Sequence, residues 1–367
     1  MKTNFETAWK TYVDEELVHI RPILDAQGIS LDAYQPHIQG ERYLMQAVTT
    51  ESGRKLILLG TRAGDGVRVV IKATTDQGGI EELEHERLCR RVLGEIQFSY
   101  RVFTTPEELL WYRKHGVVIS VQRFIEQDSA FLERPLEEQF MYALDAFKAQ
   151  ESAHAATYEQ SRLVKKTFGS LDSADYLSRF ATFAYDIQGY VNDEYTKEAL
   201  TSAGAYLKEH TQTIEQYGGF LTHTDFVPHN FRIADGKIYL LDHSSLRFGN
   251  KYEGWARFLN FMTLHNRPLE KALLDYVRDN RTKEEGLSLS LMRVYRLGEI
   301  ISYYVQNTKR SAGDLKTLNT ARIHFWANVL VATLNEQPVS DDIVGSYTHL
   351  RDSLRSEDEK QRQQNLH

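Results

Sequence analysis

The sequence predicts a bilobal α+β fold in which a small β-rich lobe precedes a large, mainly helical lobe. The chain has 367 residues, which is too long for one small core and suits two packed lobes. Short apolar segments bounded by turn signals are concentrated in residues 41–125, whereas helical spacing of apolar side chains dominates from residue 127 onward. Strands and helices do not alternate along the chain, which argues against a doubly wound parallel sheet.

The first lobe is expected to span residues 1–121. Apolar segments bounded by turn signals predict four strands, at 42–48, 55–61, 67–75 and 116–125. Apolar side chains at helical spacing predict an amphipathic helix at 4–21, and the charged segment 80–94 predicts a second helix that ends at a glycine. The last strand leads into residues 122–126, which we expect to connect the two lobes as a hinge.

The second lobe is expected to span residues 127–355. Helical periodicity predicts one helix at 136–158, two helices within 173–215 and an almost entirely helical chain beyond residue 252. The segment FRIADGKIYLLD, residues 231–242, predicts two short strands around an Asp-Gly turn. The polar segment 356–367 is expected to be a disordered tail.

The composition argues against several classes of protein. A net charge of -7 is unlike the basic surplus of nucleic-acid-binding proteins. No apolar run reaches the roughly 18 residues that a membrane span requires, and the N-terminus has acidic residues where a secretion signal has an apolar core. Cys89 is the only cysteine, which excludes an intramolecular disulfide and a cysteine metal cluster. We therefore expect a cytoplasmic protein with no nucleic-acid partner and no membrane span; the sequence leaves its oligomeric state open.

The strongest chemical signal is the segment HTDFVPHN, residues 223–230, followed by a hairpin that ends at Asp242. A loop aspartate such as Asp225 can accept the proton of an attacking hydroxyl. Asn230 and Asp242 can offer hard oxygen ligands to one magnesium ion. Asp and Asn taken singly commonly make turn hydrogen bonds. In this register, however, His223, Asp225, Asn230 and Asp242 together indicate phosphoryl transfer.

At these residues the sequence resembles the aminoglycoside phosphotransferase and choline kinase-like family, whose catalytic loop reads H-G-D-x-x-x-x-N. The resemblance implies a protein-kinase-like fold that uses ATP and Mg²⁺. It also implies that Asp225 is the catalytic base, that His223 braces the loop, and that Asn230 and Asp242 are the metal ligands. The sequence departs from the family pattern twice: a threonine follows His223 where glycine is usual, and His243 follows Asp242 where an aromatic residue is more common.

A second signal is the segment VVIK, residues 69–72. Side chains alternate between the two faces of a strand, so Val70 and Lys72 point the same way. The family resemblance implies that Lys72 contacts the α- and β-phosphates of ATP and that Val70 covers the adenine. Taken alone, a lysine on a strand is commonly solvated.

The ion-pair partner of Lys72 is expected on the helix that follows. Glu84 is our choice because it shares a helix face with Leu88 and Val92. Glu82 and Glu86 remain alternatives, since none of the three matches the family spacing E-x-x-x-L-x-x-L fully. Each of these glutamates could instead lie on a solvated helix face.

Other family elements are placed by their order along the chain. Residues 49–53, TTESG, replace the glycine-rich loop; Ser52 would contact phosphate there, or the segment is a plain hairpin turn. The backbone from Gln122 to Phe124 would pair with adenine. In strict register Gly254 takes the place of an aspartate that usually supports the catalytic loop, and Glu253 is its candidate replacement.

We therefore expect an enzyme that transfers the γ-phosphate of ATP to a hydroxyl of a small molecule such as an aminoglycoside, an amino alcohol or a sugar-like compound. The alternative is a catalytically weak, nucleotide-binding pseudokinase or regulatory module of the same fold. The acceptor pocket is expected between the catalytic loop and the helices within 173–215 and 265–335, where Tyr176 and Tyr185 are candidate lining residues.

Overall fold

The computed structural model describes residues 3–33, 35, 54–95, 103–152 and 158–355. Three sequence predictions fall outside these ranges: the strand at 42–48, the loop at 49–53 with Ser52, and the tail at 356–367. Within the described residues the chain forms the predicted bilobal α+β fold, with a five-stranded N-terminal sheet and a mostly helical C-terminal lobe. No helix in these ranges is both long and apolar enough to cross a membrane.

The N-terminal lobe is built on an antiparallel sheet with strand order β1-β2-β3-β6-β5. Its strands are β1 (Ile29–Leu31), β2 (Leu56–Arg62), β3 (Val67–Thr74), β5 (Glu108–Lys114) and β6 (Val117–Arg123). Strands β2, β3 and β6 match the predicted segments, whereas β1 and β5 were not predicted. On β3, Val69 and Ile71 are buried while Val70 and Lys72 are only partly buried, so the last two share the face turned away from the sheet core.

Two helices cover this sheet. Helix α1 (Thr3–Ala26) packs Tyr12, Ile20 and Leu24 into the sheet core. The buried carboxylate of Glu16 on α1 accepts hydrogen bonds from the backbone N–H of Thr75 at 2.9 Å and from its hydroxyl at 2.7 Å. Helix α2 (Gln77–Glu95) follows β3 directly. Because α1 is fixed to the end of β3 by charge-assisted hydrogen bonds, it is an integral part of the lobe.

The C-terminal lobe contains ten helices within the described ranges; residues 153–157, part of the helix predicted at 136–158, lie outside these ranges. The helices are α3 (Leu136–Ser152), α4 (Tyr158–Phe168), α5 (Ser173–Gln188), α6 (Glu194–Glu209), α7 (Thr211–Gln216), α8 (Glu253–His265), α9 (Arg267–Asn280), α10 (Lys283–Lys309), α11 (Gly313–Leu334) and α12 (Asp341–Ser353). Their core is aromatic: the rings of Phe147 and Trp255 stack with centroids 4.0 Å apart, and Phe258 lies edge-on to Phe147 at 5.4 Å. This packing fixes α8 against α3 beneath residues 223–230, the predicted catalytic loop, which is called the catalytic loop below.

Two small sheets carry the catalytic loop. Strands β7 (Phe220–His223) and β10 (Leu246–Gly249) pair antiparallel. Strands β8 (Phe231–Ala234) and β9 (Lys237–Leu240) form the predicted hairpin, and β4 (Phe103–Thr104) adds to β9 in parallel. Asp235 and Gly236 at the turn have φ values of 51° and 68°, as an Asp-Gly two-residue turn requires. The hairpin therefore returns the chain from Asn230 to Asp242 beside its own starting point.

Candidate active site

The catalytic loop leaves β7 at His223 and ends in a single 3₁₀ turn, Pro228–Asn230, before β8 begins. Thr224, which stands where the resembling family has glycine, donates its backbone N–H to the Ser245 carbonyl at 2.8 Å and its hydroxyl to the same oxygen at 3.0 Å. The threonine side chain therefore strengthens the connection between the loop and the β10 segment.

Asp225 and Asn230 face each other across this loop. The Asn230 side-chain amide donates to the Asp225 carbonyl at 2.8 Å and to Asp225 Oδ2 at 2.9 Å. Arg257 Nε, from α8, donates to Asp225 Oδ1 at 2.7 Å. Burial raises the pKa of Asp225, but Arg257, Arg296 and His223 outweigh it and lower the pKa to about 2. Asp225 is therefore a carboxylate at neutral pH.

His223 links this loop to the end of the β8–β9 hairpin. Its ring is fully buried, and Nε2 donates to the backbone carbonyl of Asp242 at 2.6 Å. Burial lowers the pKa of His223, so the ring is neutral and carries its proton on Nε2. The backbone N–H of Leu241 donates to the Asn230 carbonyl at 2.9 Å. These two bonds hold the segments of Asn230 and Asp242 side by side.

The Asp242 carboxylate caps a 3₁₀ turn, His243–Ser245. Its Oδ1 accepts the Ser244 backbone N–H at 3.1 Å and the Ser244 hydroxyl at 2.5 Å, and its Oδ2 accepts the Ser245 hydroxyl at 2.7 Å. Burial raises the pKa of Asp242, but the opposing effects of His223, the two serines and Lys72 outweigh burial. The net result is a pKa below the ordinary value for an aspartate. Asp242 thus keeps its negative charge although most of its surface is covered.

His243 is almost completely buried beneath α2. Burial, together with the charges of Arg90 and Lys72, lowers the pKa of His243 to about 3. The ring is therefore neutral at physiological pH. A neutral histidine ring thus occupies the position at which the resembling family more commonly has an aromatic residue.

The side-chain oxygens of Asn230 and Asp242 are ligands of the kind that magnesium prefers. Because the Asn230 amide nitrogen is committed to Asp225, its amide oxygen is the atom that this residue offers to a metal. In the described part of the chain, no group of three or more His, Cys, Asp or Glu side chains could hold a metal ion by itself. Magnesium is commonly bound by one or two protein oxygens together with phosphates and water, which matches this pair.

Lys72 reaches the same region from the N-terminal lobe, but its partner is Glu86 and our choice of Glu84 is wrong. Lys72 Nζ lies 2.6 Å from Glu86 Oε1, and it also donates to the Leu241 carbonyl at 3.4 Å. Glu84 instead lies 2.5 Å from Arg113 Nε on β5. The lysine therefore connects α2 to the residue that precedes Asp242.

The error follows from the orientation of α2. The choice of Glu84 assumed that Leu88 marks the packed face, yet Leu88 is 37% exposed. The buried stripe runs instead through Leu83, Glu86 and Cys89. Residues three positions apart lie on the same face of a helix. Glu82, the third candidate, pairs with Lys55 at 2.8 Å.

The predicted adenine-binding segment is only partly as expected. Val70 shares the half-buried face of β3 with Lys72, and Gln122 lies opposite Val70 within the β3–β6 pairing. Phe124, however, donates its backbone N–H to the Arg68 carbonyl at 2.9 Å, and its ring lies 4.5 Å from the Arg68 guanidinium. This N–H is already used by the sheet, so it is not available to a bound nucleotide.

Gln150 supports the catalytic loop, a role that the sequence did not reveal. Its Oε1 accepts the His223 backbone N–H at 3.0 Å and the Thr222 hydroxyl at 3.1 Å. Gly254 leaves the necessary space, because a Cβ there would lie 2.2 Å from Gln150 Oε1. Glu253, the candidate replacement for the missing aspartate, turns away from this loop and accepts the Tyr176 hydroxyl at 2.6 Å. The position of Gln150 beside the loop therefore depends on the absence of a side chain at Gly254.

We expect Gly254→Ala to destabilise the protein by about 1–3 kcal/mol, because the added methyl group must displace Gln150 from the loop it supports. Gly286→Ala, in α10, is the matched control, since a Cβ at Gly286 meets nothing within 4 Å. Alanine in a helix is intrinsically favoured over glycine, so the control should be neutral or stabilising. Urea unfolding of both variants checks this, and equal effects at the two positions would contradict the pairing of Gly254 with Gln150.

A cavity of about 780 Å³ opens beside Asp225 on the side of the C-terminal helices. Its walls come from the catalytic loop, α8, α10, α11 and α12, with Arg355 just beyond α12. The helices within 173–215 do not line it, contrary to our expectation: Tyr176 is buried behind Glu253, and Tyr185 is exposed on the surface. Sequence reasoning missed these walls because they bring together residues up to 130 positions apart, from Asp225 to Arg355.

No protein-family model matches the chain, and no curated protein matches its sequence. Solved structures do resemble it. A thermostable mutant of aminoglycoside phosphotransferase APH(4)-Ia is 14% identical, with a TM-score of 0.56 over 86% of this chain and 98% of that chain; the same enzyme has been solved with ADP and hygromycin B. Aminoglycoside 2'-phosphotransferase-IIIa in its GDP complex is 13% identical, with a TM-score of 0.55 over 87% and 97%. Macrolide 2'-phosphotransferase type I is 13% identical, with a TM-score of 0.55 over 83% and 96%. The chain thus has the protein-kinase-like fold of the aminoglycoside and macrolide phosphotransferases.

Proposed function

We propose that the protein transfers the γ-phosphate of ATP, with Mg²⁺, to a hydroxyl group of a small molecule bound in the cavity beside Asp225. One observation carries the proposal. Lys72, paired with Glu86, donates to the Leu241 carbonyl, and the Leu241 backbone N–H donates to the carbonyl of Asn230, whose side chain bonds Asp225. The next residue, Asp242, is held by the His223 ring through its backbone carbonyl. Structures of similar fold hold ADP with hygromycin B, or GDP, which supports a nucleotide and a small-molecule acceptor here.

Each residue of the network has a distinct part in this reaction. Lys72, oriented by Glu86, holds the α- and β-phosphates at the inner end of β3, and Val70 covers the adenine. Asn230 and Asp242 would hold a magnesium ion through their side-chain oxygens, and the ion would neutralise negative charge on the phosphates. The adenine edge pairs with backbone N–H groups at Ile125 or Glu126, because that of Phe124 is already bonded to Arg68.

Asp225 orients the acceptor hydroxyl. Its carboxylate accepts a hydrogen bond from the hydroxyl and takes the proton as the new O–P bond forms and the bond between the γ-phosphorus and ADP breaks, so that ADP is the leaving group. The charges of Arg257 and Arg296 make this carboxylate a weak base. We therefore assign Asp225 chiefly to positioning the nucleophile, with proton transfer late in the reaction, as suits a phosphoryl transfer that demands little base strength.

A specific observation favours a second candidate function, that of a catalytically weak nucleotide-binding module. Both reacting carboxylates already have partners: Asp225 bonds Arg257 and Asn230, and Asp242 bonds Ser244 and Ser245. A regulatory protein could use this closed arrangement to bind a nucleotide without turning it over. The two functions differ in one measurement, the transfer of labelled phosphate from ATP to an acceptor.

Metal dependence tests the metal assignment separately from turnover. We expect ATP to bind more tightly with Mg²⁺ than without it, and Asp242→Asn to remove most of that difference because a neutral amide is a poorer ligand for a hard cation. Asp172→Asn, at the exposed start of α5, is the control and should keep the full difference. Titration calorimetry with ATP, with and without Mg²⁺, provides the comparison. A magnesium effect that survives in Asp242→Asn would remove Asp242 from the metal site.

A further inference from the structure

The charge of the cavity beside Asp225 indicates what kind of acceptor it receives, and this inference rests on the function proposed above. Five arginines line the cavity, at positions 257, 296, 322, 351 and 355. Only three carboxylates line it with them, those of Asp225, Glu299 and Asp352. The described lining therefore carries two more formal positive than negative charges, in a protein whose net charge is -7. An excess of positive charge in a cleft attracts anions.

Each lining carboxylate already faces an arginine. Asp225 accepts from Arg257 at 2.7 Å, and Glu299 forms an ion pair with Arg296. The third carboxylate, Asp352 on α12, accepts from Nε of the neighbouring Arg351 at 2.8 Å. Arg322 and Arg351 lie on α11 and α12, and Arg355 lies just beyond α12.

Arg322, on α11, is held rigidly in that wall. Its side chain is buried, its Nε donates to the Tyr347 hydroxyl at 3.3 Å, and its Nη1 donates to Asn319 Oδ1 at 3.0 Å. The guanidinium also lies 4.9 Å from the centroid of the Tyr304 ring. A guanidinium fixed in this way keeps its planar donor fork oriented, and that fork matches the geometry of carboxylate and phosphate groups.

Apart from His229 and His265, the rest of the wall is aromatic and apolar, with Phe261 from α8, Tyr303 from α10 and Trp326 from α11. A volume of about 780 Å³ lies within the range of sites that enclose most of a small ligand. Apolar walls combined with clustered arginines suit a ligand that has both a hydrophobic body and an acidic group.

We propose that the acceptor is a hydroxylated organic acid, a carboxylate or a phosphate ester with an apolar or aromatic body. Its hydroxyl lies at Asp225 and its acidic group at Arg322, Arg351 and Arg355. Polycationic aminoglycosides, which the sequence resemblance suggested among other acceptors, do not suit this site, because their ammonium groups would face Arg322, Arg351 and Arg355.

The test uses four glycoside probes that differ only at the sugar's primary carbon. They are p-nitrophenyl β-glucuronide, the glucoside phosphorylated on its primary hydroxyl, the neutral glucoside, and the glucoside whose primary hydroxyl is replaced by an amine. Binding is measured by calorimetry with Mg²⁺ and ADP present. We expect the two acidic probes to bind roughly 10- to 100-fold more tightly than the neutral one, and the amine most weakly. Whichever acidic probe binds more tightly identifies the preferred acid.

The double variant Arg351→Gln/Arg355→Gln should lose this preference, whereas Arg278→Gln, an exposed arginine of α9 outside the cavity, should keep it. Near-ultraviolet circular dichroism and the melting temperature check that the fold is intact. Equal or tighter binding of the neutral or amine probe would overturn the inference. So would failure of both acidic probes to bind at millimolar concentration, or an unchanged preference in the double variant.

Phosphate transfer to each probe separates this inference from the proposed function. Acidic probes that bind in an arginine-dependent way but receive no phosphate would contradict the proposed function and leave the acid site standing. Transfer to neutral or amine probes in preference to acidic ones would support the phosphotransferase and overturn the acid site.

Discussion

Asp225→Asn is expected to reduce phosphate transfer by roughly 10²- to 10⁴-fold, the typical worth of a positioned acid–base group. The amide is almost the same size as the carboxylate, but it presents N–H donors where the acceptor hydroxyl must donate. It also cannot take the hydroxyl proton. ATP affinity should change little, because Lys72, Glu86 and Asp242 are untouched. The measurement is transfer of labelled phosphate, compared with ATP affinity in the same preparation.

Folding must be controlled in this experiment, because the substitution leaves Arg257 facing a neutral amide. Asp186→Asn is the matched control: Asp186, on α5, accepts from Gln306 at 3.1 Å and does not line the cavity. We expect that variant to transfer phosphate at the wild-type rate. Full activity in Asp225→Asn would show that Asp225 is not the positioning base. A wild-type protein that binds ATP and phosphorylates no acceptor would favour the regulatory module.

The catalytic loop was predictable because its parts are adjacent in sequence. Residues 223–230 form one loop, and the Asp-Gly turn brings Asp242 back beside Asn230 within a single hairpin. Local turn chemistry therefore determines most of that geometry. The alternating exposure of Val70 and Lys72 follows in the same way from the period of a strand.

Side chains that act across long separations were not predictable. Gln150 supports a loop 73 positions later, and Arg257 approaches Asp225 from α8, 32 positions away. A single glutamine or arginine in a helix carries no local signal of such a contact. One indirect signal existed: a glycine at position 254, in place of the expected aspartate, indicated that another residue had to support the loop.

The choice between glutamates on α2 failed for a related reason. Helix periodicity identifies which residues share a face, but tertiary packing decides which face is buried. Leu88 suggested the wrong face: Leu83 packs with Val118 of the sheet, and Cys89 belongs to the core of the C-terminal lobe. A buried glutamate on an apolar stripe is rare unless it is paired, so Glu86 was the more informative position.

Glu86→Gln is expected to lower the free energy of unfolding by about 3 kcal/mol and to weaken ATP binding. Only 5% of the Glu86 side chain and 15% of the Lys72 side chain are exposed. Removing one partner of such a pair leaves a charge with poor solvation, which is typically costly by this amount. The lysine also loses the contact that directs it toward the phosphates.

Glu84→Gln separates this effect from the general loss of a negative charge on α2. Glu84 lies two residues away and its partner Arg113 is 62% exposed, so its loss should cost less than about 1 kcal/mol. ATP affinity should stay at the wild-type value, because Glu84 pairs with Arg113 on β5 and not with Lys72. Urea unfolding and calorimetry with ATP and Mg²⁺ are measured on both variants. If Glu84→Gln weakens ATP binding as much as Glu86→Gln does, then ATP binding responds to the overall charge of α2, and the Lys72–Glu86 pair has no specific part in positioning the nucleotide.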